Sequence, residues 1–202
     1  WDYYAHDILN AIYAQADVTW SCLLNPDIKM TGSAQLISES DVGDSLAGKV
    51  DSLYWGLQLA AKYGGFNVAA AYSQNDESVG SAVNGGTITP WGGMPAFTQG
   101  MVTRHQFLAD TTAWKISGGY NFKEMTGADV TASAYYAEFD VGINNGYIPN
   151  TYKVTTAEPG FDIIWNNAMT KNLQLRLRGN FPDKFNATTS WSEYRLIANY
   201  NF

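Results

Sequence analysis

Two groups of side chains in this chain could do chemistry. The first is nucleophilic or acid–base in type: His6 and His105, Asp110 just after the second, and the run Gly43-Asp44-Ser45-Leu46-Ala47-Gly48. A serine nucleophile of the G-x-S-x-G type needs that spacing so that a sharp turn presents its hydroxyl, and this run misses it. Neither HExxH nor a phosphate loop occurs. No spacing ties His105 and Asp110 to a serine, and both histidines read as solvated loop residues. Asp140 followed by Asn144-Asn145-Gly146 lacks the alternating ligands and closing Glu of a calcium loop. The lone Cys22 has no CxxC partner or histidine company, so neither a disulfide nor a zinc site is expected. No catalytic residue, metal or cofactor is expected, and the chain does not read as an enzyme.

The second group is ionic. In NLQLRLRGNF, residues 172–181, Leu173, Leu175, Leu177 and Phe181 share one face while Gln174, Arg176, Arg178 and Asn180 share the other. Arg195 joins Arg176 and Arg178 from the next alternating run, Lys115 and Lys62 hold equivalent positions farther back, and Asp162 and Glu193 are the acids among them. A turn centred near residue 170 sets Asp162 across from Arg178, an opposite-charge pair that helps hold a sheet. Loop 182–190 sets Arg195 opposite Arg176 or Arg178, because only positions on the same face can oppose each other. Like charges face to face are destabilising, so stability alone does not explain the grouping. A cationic wall around water does, since it attracts a solute carboxylate through weak, repeated contacts. The alternative is that Asp162 and Glu193 neutralise the arginines and the wall is merely polar.

Which of these holds depends on the elements that carry the charges. Period-two alternation recurs over 10–20, 28–40, 53–63, 66–74, 110–122, 128–140, 157–168, 172–181 and 191–202, giving about nine strands and no convincing helix. Connections alternate between tight (Gly64-Gly65, Lys123–Thr126, Thr170-Lys171) and long (41–52, 75–108, 141–155, 182–190), the layout of an up-and-down transmembrane barrel. Five of the six prolines fall in connections, and Pro159 is expected at a strand's start, where a missing donor is tolerated.

Composition agrees. Charged residues make up 15% of the 202, against roughly 25% in soluble chains. Yet mean hydropathy is −0.22, and no run approaches the ~18 apolar residues of a membrane helix. Net charge −7 argues against a nucleic-acid partner, because phosphate binding relies on clustered cations. Aromatics gather near strand ends, with Trp20, Tyr63, Phe66, Tyr120, Phe122 and Phe202 at the tight-turn end and Tyr72, Phe181 and Tyr194 at the other, as interfacial girdles do. Runs of about ten residues suit a tilted span better than the ~5–6 of a soluble sandwich.

The segments GGMPAFTQGMVTRHQF (92–107), FDIIW (161–165), NLQLRLRGNFPDKF (172–185) and WSEYRLIANYNF (191–202), with WDYYAHDILNAIYAQAD at the start, resemble the C-terminal half of an OprD-type outer-membrane porin, in a form like that of campylobacter-related bacteria. The resemblance implies an 18-strand barrel of which 1–202 supplies one half, as part of a single domain. Nine strands closing on themselves would also pair the first and last in parallel, so the chain is expected to be incomplete. The missing half would hold the family's main constriction. The resemblance further implies a basic ladder conducting carboxylate-bearing solutes such as amino acids, a monomer or homotrimer, and a final strand whose terminal Phe202 is read by the barrel-assembly machinery.

The segment 75–108 is too long for a plain hairpin and too apolar around Ile88–Met94 to be freely solvated. It is expected to fold inward and narrow the pore with Trp91, Met94, Phe97 and Arg104, the alternative being an extracellular cap. The function expected is a passive outer-membrane channel for small hydrophilic solutes, surrounded by lipid and lipopolysaccharide. A binding or adhesion barrel with a closed lumen is the alternative.

Overall fold

Alternation of side chains along the backbone produces one antiparallel sheet. The computed structural model describes residues 1–89, 93–148, 151–166 and 172–200. Among these, β1 (Asp2–Ala5), β2 (Leu9–Ser21), β3 (Lys29–Asp41), β4 (Asp51–Tyr63), β5 (Phe66–Asn75), β6 (Thr111–Asn121), β7 (Val130–Val141), β8 (Val154–Asn166), β9 (Leu173–Asn180) and β10 (Glu193–Tyr200) pair in chain order, with a single-turn helix α1 (Lys123–Thr126) between β6 and β7. Between its two edges the ladder satisfies the backbone without help from solvent, which spanning a bilayer requires.

The count is ten strands, one more than the alternation predicts. The additional strand is β1, whose four residues are too few to display a period. Its register, Tyr3↔Ala11 and Tyr4↔Asn10, is secured by Trp1, which stacks on Tyr13 with ring centroids 5.4 Å apart. Ten is even, so the parity argument for incompleteness falls away. The sheet is nonetheless open among the described residues: β1 pairs only with β2 and β10 only with β9.

Pro159 is the sixth residue of β8 and not its start. Its carbonyl accepts from Phe181 N at 3.0 Å, so its missing N–H would also have pointed toward β9. The absent rung falls just past Gly160↔Asn180, where the regular β8–β9 ladder stops. The proline therefore removes a bond at a ladder end, where the loss is small.

The two faces differ in kind. One carries Val18, Leu36, Leu57, Leu59, Val68, Ile116, Ile163, Leu177 and Leu196, all exposed. So broad an apolar surface is foreign to a water-soluble monomer. Aromatic rings edge it at both ends: Phe66 lies 4.3 Å from Tyr120 near the tight turns, and Trp55–Tyr72, Trp114–Tyr136 and Phe181–Tyr194 pair at 5.6, 5.3 and 5.5 Å toward the long connections. At the Gly64-Gly65 turn, Gly64 takes φ +52°, and a Cβ on Gly65 would stand 2.6 Å from the Asn121 carbonyl oxygen. Only glycine closes this hairpin so tightly.

The other face is polar, and the connection between β5 and β6 lies against it. Leu9, Ala11, Ile37 and Tyr54 of the sheet cluster with Met94 and Phe107 of that connection, so the core sits on the polar face, at the long-connection end.

If the exposed apolar face meets lipid, Leu57→Arg near the middle of β4 destabilises the fold by about 2–4 kcal/mol. Gln58→Arg, one residue along on the other face, costs much less. Folding free energies in lipid vesicles check the difference.

Candidate functional site

The charged cluster forms where β8, β9 and β10 run side by side. Asp162 faces Arg178 in register, and Arg178 in turn faces Arg195. Of the two alignments the sequence leaves open for Arg195, the structure takes Arg178. The tighter partner of Asp162 is the diagonal Arg176, whose Nε donates to both carboxylate oxygens at 2.7 and 2.8 Å and whose Nη2 donates to Oδ2 as well. Arg178 Nη2 reaches the same oxygen at 3.2 Å. Arg195 pairs along its own strand with Glu193, which also accepts from Asn180 at 3.4 Å. Three guanidinium groups thus share two carboxylates, and the acids take up much of the charge.

Lys115 and Lys62 share the polar face but stand apart from the arginines. Lys115 Nζ donates to Gln99 O at 2.7 Å and lies 4.7 Å from the centroid of the Tyr135 ring. It acts on the connection above it. Lys62 is exposed near the tight turns of β4, opposite Lys29 and Asn67.

That connection, residues 76–110, is fastened to the wall from β3 to β8. Gln35 donates to Pro95 O at 2.8 Å and accepts from Phe97 N at 2.9 Å, which copies a strand rung with a side chain. Glu39 accepts from Ile88 N at 2.7 Å. Asn75 donates to Gly85 O at 2.9 Å, and the Ser73 and Thr98 hydroxyls meet at 2.6 Å. Glu158 accepts from Met101 N and Thr103 N, both at 2.6 Å. Unpaired backbone amides out of water are costly, so these wall groups are what let an irregular segment rest there.

Of the residues expected at a constriction, Met94 is buried in the core cluster, Phe97 is half-buried with its amide on Gln35, and Arg104 is exposed with its guanidinium over Gly93. Trp91 lies outside the described residues, as does Phe202. Gln35, Glu39, Tyr135 and Glu158 were not anticipated. Their inward alternation was visible in the sequence, but the amides they hold belong to a segment distant in the chain.

His105 is a correction. It is buried, with Nδ1 2.9 Å from Thr156 Oγ1, and its ring packs against Phe139 at 5.8 Å and Phe185 at 4.7 Å. Asp110 lies with Lys153 at 3.8 Å, and among the described residues no Ser/His/Asp grouping forms around His105 and Asp110. Asn145 serves its own loop, donating to Gly142 O and Ile148 O at 2.8 and 3.0 Å.

A sequence profile described as "outer membrane porin, OprD family" matches residues 1–202. No curated protein sequence matches the chain significantly. Among solved structures, OccK9 (OpdG) of Pseudomonas aeruginosa superposes with a TM-score of 0.79 at 20% identity, over 98% of this chain and 48% of that one. OprD of the same species gives 0.77 at 14%, over 96% and 52%. OccK2 (OpdF), also from P. aeruginosa and solved in complex with glucuronate, gives 0.78 at 15%, over 98% and 52%. The chain spans about half the length of these structures, and at such identities the likeness concerns the fold.

Burial pushes His105 from 6.5 down to about 4. The unfolded chain therefore binds this proton first as pH falls. The contribution is intact above pH 6.5 and is lost progressively toward pH 4, reaching about 3 kcal/mol at most. Denaturant unfolding in detergent at pH 7 and pH 4.5 is expected to show a larger acid loss for the wild type than for His105→Gln.

Proposed function

Because the chain belongs to the OprD family of outer-membrane porins, we propose that it is the C-terminal half of a passive diffusion channel for small hydrophilic solutes. The observation that carries this reading is the division of one spanning sheet into an apolar, aromatic-edged face and a polar face. The first suits outer-membrane lipid and lipopolysaccharide, and the second suits water. No group-transfer chemistry is assigned, and the chain needs no cofactor for this role.

The solutes favoured are amino acids and other small carboxylates. Support comes from Arg176, Arg178 and Arg195 standing in neighbouring register with only two carboxylates between them. Opposed cations carry a cost that a passing anion would relieve. Lys62 adds positive charge nearer the tight turns, while Lys115 is committed to Gln99. In one matched structure the bound ligand, glucuronate, is itself a carboxylate.

The segment 76–110 is read as narrowing the passage, with Met94, Phe97 and Arg104 carried on it and Trp91 in the same stretch. The last strand, ending in Phe202, is read as the signal to the assembly machinery, in a monomer or a homotrimer. A closed-lumen adhesion barrel is the second reading, favoured by how firmly this segment is fastened across the wall.

Single-channel current through the complete protein in a planar bilayer separates the two. The channel reading predicts current that small carboxylates partly block. It also predicts that Arg176→Ala/Arg178→Ala loses that block or shifts toward cation selectivity. Well-folded protein that passes no current favours the closed barrel.

A further inference from the structure

Glu158 stands on the polar face yet is wholly buried. Its Oε1 accepts from Met101 N at 2.6 Å and its Oε2 from Thr103 N at 2.6 Å, with Val102 N 3.3 Å from both oxygens. Three successive amides aimed at one carboxylate make an anion nest, and charge-assisted bonds of this kind are roughly twice as strong as neutral ones.

The neighbouring strands converge on the same turn. The Tyr135 hydroxyl of β7 donates to Oε1 and accepts from Met101 N at 3.1 Å. Lys115 of β6 braces Tyr135 and holds Gln99 O. Gly100 N donates to Thr103 O at 3.1 Å to close the turn. A Cβ on Gly100 would stand 2.7 Å from the Glu158 carboxylate carbon, so glycine is needed there for close approach. Elsewhere along the segment a wall side chain holds one or two backbone groups, as Gln35 and Glu39 do, or meets a side chain, as Ser73 meets Thr98. Here three strands hold a single turn.

We infer that Glu158 is a positioning residue that keeps the passage open, holding residues 100–103 flat against β8 so that the segment cannot swing across the lumen. This rests on the channel reading above. Glu158→Gln keeps the shape but turns an amide N–H₂ toward backbone N–H groups, so at least one of the nest's amides loses its acceptor.

The test uses the complete protein, with hydrogen exchange followed by mass spectrometry alongside single-channel recording. In Glu158→Gln, amides 101–103 are expected to exchange about tenfold faster or more, while β2–β4 are unchanged, and the current flickers with frequent brief closures. Tyr135→Phe, which removes one donor and no charge, shows both effects in smaller measure and carries the test if Glu158→Gln does not fold. Unchanged exchange with quiet current overturns the inference. Faster exchange with quiet current also overturns it, because the segment is then loose without affecting the passage. If neither wild type nor variant conducts while the exchange difference is present, the channel reading falls and takes the passage with it, leaving Glu158 as an anchor alone.

Discussion

A backbone amide in hydrocarbon has no water to turn to, and an antiparallel ladder is one of the few arrangements that satisfies a spanning chain. Much else here follows from that constraint. Ten strands pairing in chain order use up the backbone groups of the sheet except along its two open edges, which leaves the side chains to distinguish its faces. The same constraint recurs on the polar side. The described residues of the segment 76–110 have no strand partner, and Gln35, Glu39, Asn75, Lys115 and Glu158 supply the donors and acceptors that a neighbouring strand would have given. The wall is thus a template for an irregular segment.

This division of labour alters how the charges are understood. Lys115 reads from the sequence as part of the basic wall and Glu158 is not singled out there, yet both are spent on the segment above them. The cations left toward open space are Lys62 and the arginines of β9 and β10, and the arginines are shared among Asp162 and Glu193. Any anion preference then arises from a slight excess of guanidinium groups held in rigid register, and not from a bare row of cations.

Much of the fold was legible because it depends on a period of two. Nine strands, their facing, the tight connections at Gly64-Gly65 and Lys123–Thr126 and even Asp162↔Arg178 can be read from residues one after another, while the turn expected at Thr170-Lys171 lies outside the described residues. What could not be read was β1, whose four residues show no period, and the placement of Pro159, since alternation marks a strand's middle better than its ends. His105 was misread for a different reason. Its burial comes from Phe139, Thr156 and Phe185, which lie 34 to 80 residues away in the chain. Glu158 was missed likewise, because its partners are backbone amides and leave no mark in side-chain pattern.

The central claim is that the described part of the segment 76–110 rests against the polar wall in the folded protein. It is tested most directly by Ser73→Cys with Thr98→Cys in a Cys22→Ser background of the complete protein, since the two native hydroxyls lie 2.6 Å apart and paired cysteines there are within bonding reach. The account predicts that mild oxidation in membranes links the pair readily and leaves the single-channel current unchanged, because the lock holds the segment where it already lies. Failure of the pair to link in well-folded protein, or a link that forms only with a large change in current, would contradict it.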